Sequence, residues 1–214
     1  MKRRAHPLDA VRARHPRAFG AMVADARILA AQKGRTVVVR GRVGALMLVL
    51  RTFVSSRAFA ALCGYRMRAR CRALRIPVLP ILLHRWSMVI GTVCIGDPVV
   101  IAPGIAFPGG RVVIDGFVDI AAGVVVGPHV TIGLRAGNWQ GPTIGKGVRL
   151  GARAKVIGPV TIGRGATVGP GSVVVRDVAA GAVVRGVPAR RIDAPAIVDA
   201  PSITDVPTRG RGAA

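Results

Sequence analysis

The sequence predicts a mainly β protein: a parallel β solenoid of six-residue repeats, preceded by an α-helical region. The first observation is a period. From Ile144 an aliphatic residue recurs every six positions (Ile144, Leu150, Val156, Ile162, Val168, Val174), and four residues after each comes a small one (Val148, Ala154, Val160, Ala166, Ser172, Val178). The second is its extent. The same register holds at Ile114, Ile120, Val126 and Ile132, followed by Val118, Val124, Val130 and Ala136, and one extra residue after Phe107 shifts it before Ile95 and Ile101 resume it. The third is a change of composition near residue 88, from Ala, Arg and Leu to Gly and Val. A period of two would mean ordinary strands and one of 3.6 helices, and neither fits.

Each hexapeptide reads as a short strand ending in a turn. Its aliphatic residue stacks on like residues of neighbouring coils, and its small residue lies near a corner. Glycine follows the aliphatic residue four times (Gly145, Gly151, Gly163, Gly169), supplying backbone freedom there. The expected organisation is a basic helical region at 1–88, a solenoid at 89–192 and a Pro-, Ala- and Gly-rich disordered tail at 193–214.

In the helical region Pro7 suits the start of a helix that Gly34 stops. Val37–Val54 is apolar, but its β-branched start leaves helix and strand both open. Ser55 and Ser56 can cap a third helix to Ala73, and Pro77 opens a fourth segment. On the third helix Arg68, Arg72 and Arg75 share a face, with Arg66 and Arg70 beside it. That face reads first as solvated, and alternatively as lying on anionic lipid.

The 214 residues carry 32 Lys and Arg against 9 acids, all Asp, for a net +23. Residues 1–88 hold 19 basic and 2 acidic groups, so most of the excess lies there. Such a balance favours anionic partners. Nucleic acid is disfavoured because no helix-turn-helix, zinc-finger or RNP-like motif occurs. Three cysteines without a CxxC pair exclude a disulfide scaffold and a cysteine zinc site. No apolar signal core follows Lys2-Arg3-Arg4, and no apolar run reaches membrane-spanning length, so the expected location is cytoplasmic, with peripheral contact at a membrane's inner face through the basic helices.

Thr143–Gly158 (TIGKGVRLGARAKVIG), Gly169–Val178 (GPGSVVVRDV) and Val184–Ile192 (VRGVPARRI) resemble the hexapeptide-repeat, left-handed β-helix acyltransferases, in their serine acetyltransferase-like branch. Tyr65–Gly91 is also similar to the N-terminal helices of sugar- and polysaccharide-modifying relatives. The resemblance implies a left-handed coil, a homotrimer, and acetyl-CoA as acyl donor, lying between neighbouring subunits. It puts the pantetheine arm at Gly151, Ala152 and Ala154, and the CoA phosphates at Lys155, Arg185, Arg190 and Arg191, where charge-assisted bonds suit them. No metal is implied; a γ-type carbonic anhydrase, which shares the architecture, needs three histidine ligands, and the repeats hold one.

Acyl transfer to a hydroxyl or amine needs a base near the nucleophile and donors for the oxyanion. The branch's histidine turn, D-H-G or P-H-G before V-V-I, falls on Pro108 or Gly109, and its R-H-P motif falls on Gln140-Gly141-Pro142. Both histidines are therefore missing. Of the four histidines present, His6 and His15 read as surface residues and His84 as a packed or capping one. His129, at a repeat corner, is the candidate general base, with Asp115 and Asp119 as candidate orienting partners. The extra residues between Ile132 and Ile144 form a loop whose Arg135, Asn138 and Trp139 would line an acceptor pocket. The expected function is acetyl transfer to the oxygen or nitrogen of a sugar, a glycan-linked group or another small polar acceptor. The alternatives are serine O-acetylation and an inactive β-helix scaffold.

Overall fold

A computed structural model of the chain describes residues 15–192 except 36, 38–40, 75, 77 and 92. The expected tail, His6 and the start at Pro7 lie outside the described residues.

Four helices come first: α1 (Ala18–Gln32), α2 (Gly41–Ser55), α3 (Arg57–Ala73) and α4 (Leu79–Gly91). Gly34, at φ 68°, ends α1 as expected, its N–H and that of Arg35 donating to Ala31 O and Ala30 O at 3.0 Å. The stretch whose β-branched start left two readings open is helical over its α2 residues. Ser56 alone caps α3, accepting from Phe59 N at 3.3 Å, while Ser55 Oγ donates back to Thr52 O. Pro80 stands in the first turn of α4, where its missing N–H leaves no bond unmade.

The chain then visits three sheets in rotation. The first contains β1 (Val93–Ile95), β3 (Val112–Ile114), β6 (Thr131–Gly133), β9 (Lys155–Ile157) and β12 (Val173–Val174). The second contains β2 (Val100–Ile101), β4 (Phe117–Ile120), β7 (Gln140–Ile144) and β10 (Thr161–Ile162). The third contains β5 (Val125–Val126), β8 (Arg149–Leu150), β11 (Thr167–Val168), β13 (Val183–Arg185) and an antiparallel edge, β14 (Arg190–Arg191). All other pairs are parallel, in the register the repeat demands: Ile114 on Ile132 on Val156, Ile101 on Ile120 on Ile144, Val126 on Leu150 on Val168. These side chains and the small residues four positions on form one buried core. Ala136 is the exception: it sits in the loop before β7 and is exposed, because the inserted residues leave the coil there.

The corners explain the glycines. Gly104, Gly123, Gly147, Gly165 and Gly181 stack at positive φ on one corner, and Gly123 N donates to Gly104 O at 2.7 Å. The glycines after the aliphatic residues serve a different need. A Cβ on Gly151 would lie 2.6 Å from Pro170 N, and one on Gly145 2.8 Å from Arg164 N, so they set the spacing between coils.

The first coil has a neighbour on one side only, and α3 covers the other. Tyr65 Oη donates to Val99 O at 2.7 Å. Arg66 donates to Ile101 O and Ala102 O, and Arg68 to Ile95 O and Gly96 O. Arg72 and Arg68 pair with Asp97. The arginine face of the third helix is therefore neither solvated nor free for lipid at Arg66 and Arg68, which are buried. It caps carbonyl oxygens that no further coil is present to satisfy. His84, expected as a packed or capping residue, is paired with Arg68 through Nδ1 at 2.6 Å. His15 is half-buried against Tyr65 rather than a free surface residue.

Candidate functional site

The third sheet carries a groove of about 310 Å³ along its outer face. Its floor includes Gly127, Gly151 and Gly169, whose N–H groups donate to Leu150 O, Val168 O and Val184 O of the neighbouring coil at 2.8 Å each. Arg149 and Arg185 stand on the flanking strands. Pro108 closes one side, and the end of α1 (Leu29, Gln32, Lys33) forms a wall. Three cations and no carboxylate line it, a setting suited to a phosphorylated ligand.

The α1 wall is fixed by a buried ion pair. Asp25, four residues before Leu29, accepts from Gly104 N at 2.7 Å and Ile105 N at 3.0 Å in the first coil, and from Arg66 Nε and Nη2 at 3.2 and 3.3 Å. Burial pushes the Asp25 carboxyl above its ordinary range, and Arg66 with the two amides pulls against it. The four donors on its oxygens are the partners of an ionised carboxylate.

Of the residues expected to hold CoA, Gly151, Ala152 and Arg185 line this groove. Arg190 pairs with Arg185 in the ladder and Arg191 with Val184, so both lie at the sheet's end, exposed. Ala154 is elsewhere: its side chain is fully buried in the core, with its N–H on Gly151 O. Lys155 is exposed on β9, in the first sheet.

His129 is exposed at φ 60°, two residues beyond Gly127, on the corner between the third and first sheets. That corner also carries Gly110 in the coil before and Arg153, again at φ 60°, in the coil after; Arg153 N donates to Pro128 O at 2.8 Å. Pro108 and Gly109, where the resemblance leads one to expect the branch's histidine, adjoin this same corner, since a Cβ on Gly110 would meet Pro128. Asp115 lies on a different corner, bonded to Gly116 N, and Asp119 on β4 of the second sheet. Neither stands on the His129 corner.

The loop between β6 and β7 leaves from the corner between the first and second sheets. Asn138 N donates to Arg135 O at 3.0 Å and Gln140 N to Asn138 Oδ1 at 2.8 Å, a local turn that leaves Trp139 76% exposed. Within one chain, the loop and the groove thus occupy different corners. No group of three or more His, Cys, Asp or Glu that could hold a metal occurs among the described residues.

Some of the other groove residues carry a signal in the repeat and others do not. Gly127 and Gly169 hold the same repeat position as Gly151, and Arg149 precedes Leu150 on an outward-facing position. Leu29, Gln32 and Lys33 come from a helix distant in sequence, and no local pattern marks them.

Parallel sheets on a six-residue repeat, with a cationic glycine-floored groove, define a hexapeptide-type transferase. Residues 141–176 match the family model described as bacterial transferase hexapeptide (six repeats). Among solved structures the chain is similar to soybean serine acetyltransferase, both the apoenzyme (30% identity, 83% of this chain and 69% of that one, TM-score 0.69) and the complex with serine (30%, 83% and 70%, 0.68). A serine acetyltransferase in complex with CoA has the same fold at 24% identity, covering 86% and 73%, with TM-score 0.69. No curated protein sequence matches. The chain belongs to the hexapeptide-repeat acyltransferases, in the serine acetyltransferase-like branch, and is an acyltransferase.

Proposed function

We propose that the chain is an acetyl-CoA-dependent O-acetyltransferase of small hydroxyl acceptors. It works as a homotrimer of left-handed β-helices, with residues 1–88 as a helical region and 89–192 as the catalytic domain. The groove on the third sheet carries this reading. Lys33, Arg149 and Arg185 would hold the CoA phosphates, Arg190 and Arg191 would extend the cationic rim, and Gly151 and Ala152 would lie along the pantetheine arm. In the reaction a base takes the acceptor's hydroxyl proton, the oxygen attacks the thioester carbonyl, and the C–S bond breaks to release CoA, whose sulfur is reprotonated. His129, in its neutral form, is the candidate base. Trimerisation would bring the Arg135–Trp139 loop of one subunit to the groove of the next, which a single chain's corners keep apart.

The relative crystallised with serine supports serine as the first acceptor to test, ahead of the sugar expected from the Arg135–Trp139 loop and the missing histidines. Pro108, Gly109 and Gly141 at the branch's histidine positions favour a second reading, a groove that binds CoA without turnover.

The test is calorimetric titration with acetyl-CoA at moderate and high salt, with ATP as a control, on the wild type and on Arg149→Gln/Arg185→Gln. The expected result is binding that exceeds ATP, survives salt, and weakens in the variant. Binding that matches ATP and fades with salt is general polyanion attraction and removes the transferase reading. A turnover assay with serine, repeated on His129→Ala, then separates catalyst from scaffold.

A further inference from the structure

We propose that α2, with α4 alongside it, is a docking surface for an anionic lipid membrane. α2 is apolar on both sides. Ala45, Leu48 and Thr52 face the protein, while Val43, Leu46, Met47, Leu50 and Val54 are 56–80% exposed. At about 100° per residue these five fill the half of the helix opposite the buried stripe. A helix that is apolar all round belongs in an apolar setting, and half of this one stands bare. The stacked rings of Phe53 and Trp86, 5.8 Å apart, set α4 beside it. There Ile81, Leu82, Met88 and Val89 are exposed too, with exposed Arg85 among them.

Charge identifies the occupant. Between Asp25 and Asp97 the sequence contains no acidic residue. Arg42 and Arg51 flank the α2 stripe, both exposed. Beside it, between the end of α1 and α2, lies a cleft of about 240 Å³ with Met47 and Leu48 inside and Lys33, Arg35 and Arg51 around it. An apolar face edged by cations, with a cationic cleft at its margin, complements acyl chains beneath anionic headgroups. A second copy of the same face would set arginine against arginine. No helix among the described residues is long and apolar enough to cross a membrane, so the contact is one of lying on the surface. The membrane contact expected from sequence thus moves from the α3 arginines, two of which cap the coil, to α2 and α4.

The experiment is co-sedimentation of the full chain with vesicles of phosphatidylcholine, alone or with about one-third phosphatidylglycerol, at moderate and high salt. The chain should bind the anionic vesicles and stay partly bound in high salt, because apolar contact is not screened. Leu46→Gln/Leu50→Gln should lower partitioning by about tenfold or more. Arg42→Gln/Arg51→Gln should lower it by about fivefold per charge at moderate salt. All four side chains are exposed, and an unchanged thermal unfolding midpoint verifies that the variants fold. No binding to either vesicle overturns the proposal. So does binding that disappears in high salt and is indifferent to the leucine pair, since that is bare polycation attraction. If light scattering shows the leucine pair reducing the assembly's mass while vesicles are ignored, the face belongs to a second copy and the proposal is equally overturned.

Discussion

Replacing Arg66 by Met should loosen both the fold and the groove. The guanidinium is about 1% exposed, and its carboxylate partner is fully buried. It bonds Asp25 at 3.2 and 3.3 Å, Ala102 O at 2.9 Å, and Ile101 O. Met fills similar volume but leaves Asp25 with two amide donors and no counter-charge, and leaves the two carbonyls without their arginine donor. Removing one partner of a buried ion pair costs about 3–5 kcal/mol, most of it the penalty of the stranded charge. For a chain of this size that is a midpoint lowered by about 6–20 °C in thermal unfolding. Asp25→Asn should cost less, because its amide oxygen still accepts from Gly104 or Ile105. The double variant should be more stable than the two single losses predict, by about 1–3 kcal/mol. Asp25 also fixes the helix that brings Leu29, Gln32 and Lys33 to the groove, so acetyl-CoA affinity should fall in Arg66→Met although Arg66 lines no part of it. Calorimetric melting of all four proteins, followed by ligand titration below the lowest midpoint, reads both effects. A loss under about 1 kcal/mol for Arg66→Met, or strict additivity with Asp25→Asn, would refute the reasoning.

Two glycines should fail differently. Gly151→Ala forces a Cβ to 2.6 Å from the backbone of Pro170 and should cost more, in chemical denaturation, than Gly147→Ala, where the space is open and a φ of 70° costs about 1–2 kcal/mol. The stability contributed by His15 and His84 should fall as pH drops below about 6.5. Burial, with Arg68 and Arg72, holds His84 below its ordinary 6.5, and burial with Arg66, Arg68 and Arg72 does the same to His15, so the unfolded chain takes up these protons first. In His84→Gln, whose amide oxygen can still accept from Arg68, the slope should be shallower. Gly109→His should create or raise serine acetylation, since a Cβ there meets nothing within 4 Å and φ is ordinary for a side chain. Unchanged turnover would place the branch's histidine position at Pro108 instead, or the acceptor outside the serine class.

The coil is legible in the sequence because each stacked position is filled by one kind of residue at one spacing, and Ala136 departs only where residues leave the coil. The arginines of α3 are not legible in the same way. A row of cations at helical spacing looks alike whether it faces water, lipid or a carbonyl edge. What decides between them is that the first coil lacks a neighbour, a property of the solenoid's end that α3 itself does not encode. The groove is half legible. Gly151 and Arg185 stand out from the repeats, but its wall depends on Asp25 reaching Gly104 and Ile105 across nearly eighty residues.

The stretches that carry the resemblance, Thr143–Gly158 above all, consist largely of residues that stacking requires: buried aliphatics, corner glycines at positive φ, and glycines such as Gly145 and Gly151 whose Cβ would strike the next coil. A chain must retain them to fold, whatever it binds. The floor of the cationic groove follows the same rule, since Gly127, Gly151 and Gly169 are among the glycines whose Cβ would strike the next coil. The corner and loop positions at Pro108, Gly109, His129 and Arg135–Trp139 are exposed or open, and a change there leaves the core intact. Side chains at those positions can therefore vary without disturbing the stacked core. Gly145 and Gly151 are held in place by the stacking of the coils, whereas Pro108, Gly109, His129 and the Arg135–Trp139 loop are not. Substitutions at Gly109, His129 and the loop are consequently the ones that report function without first reporting stability.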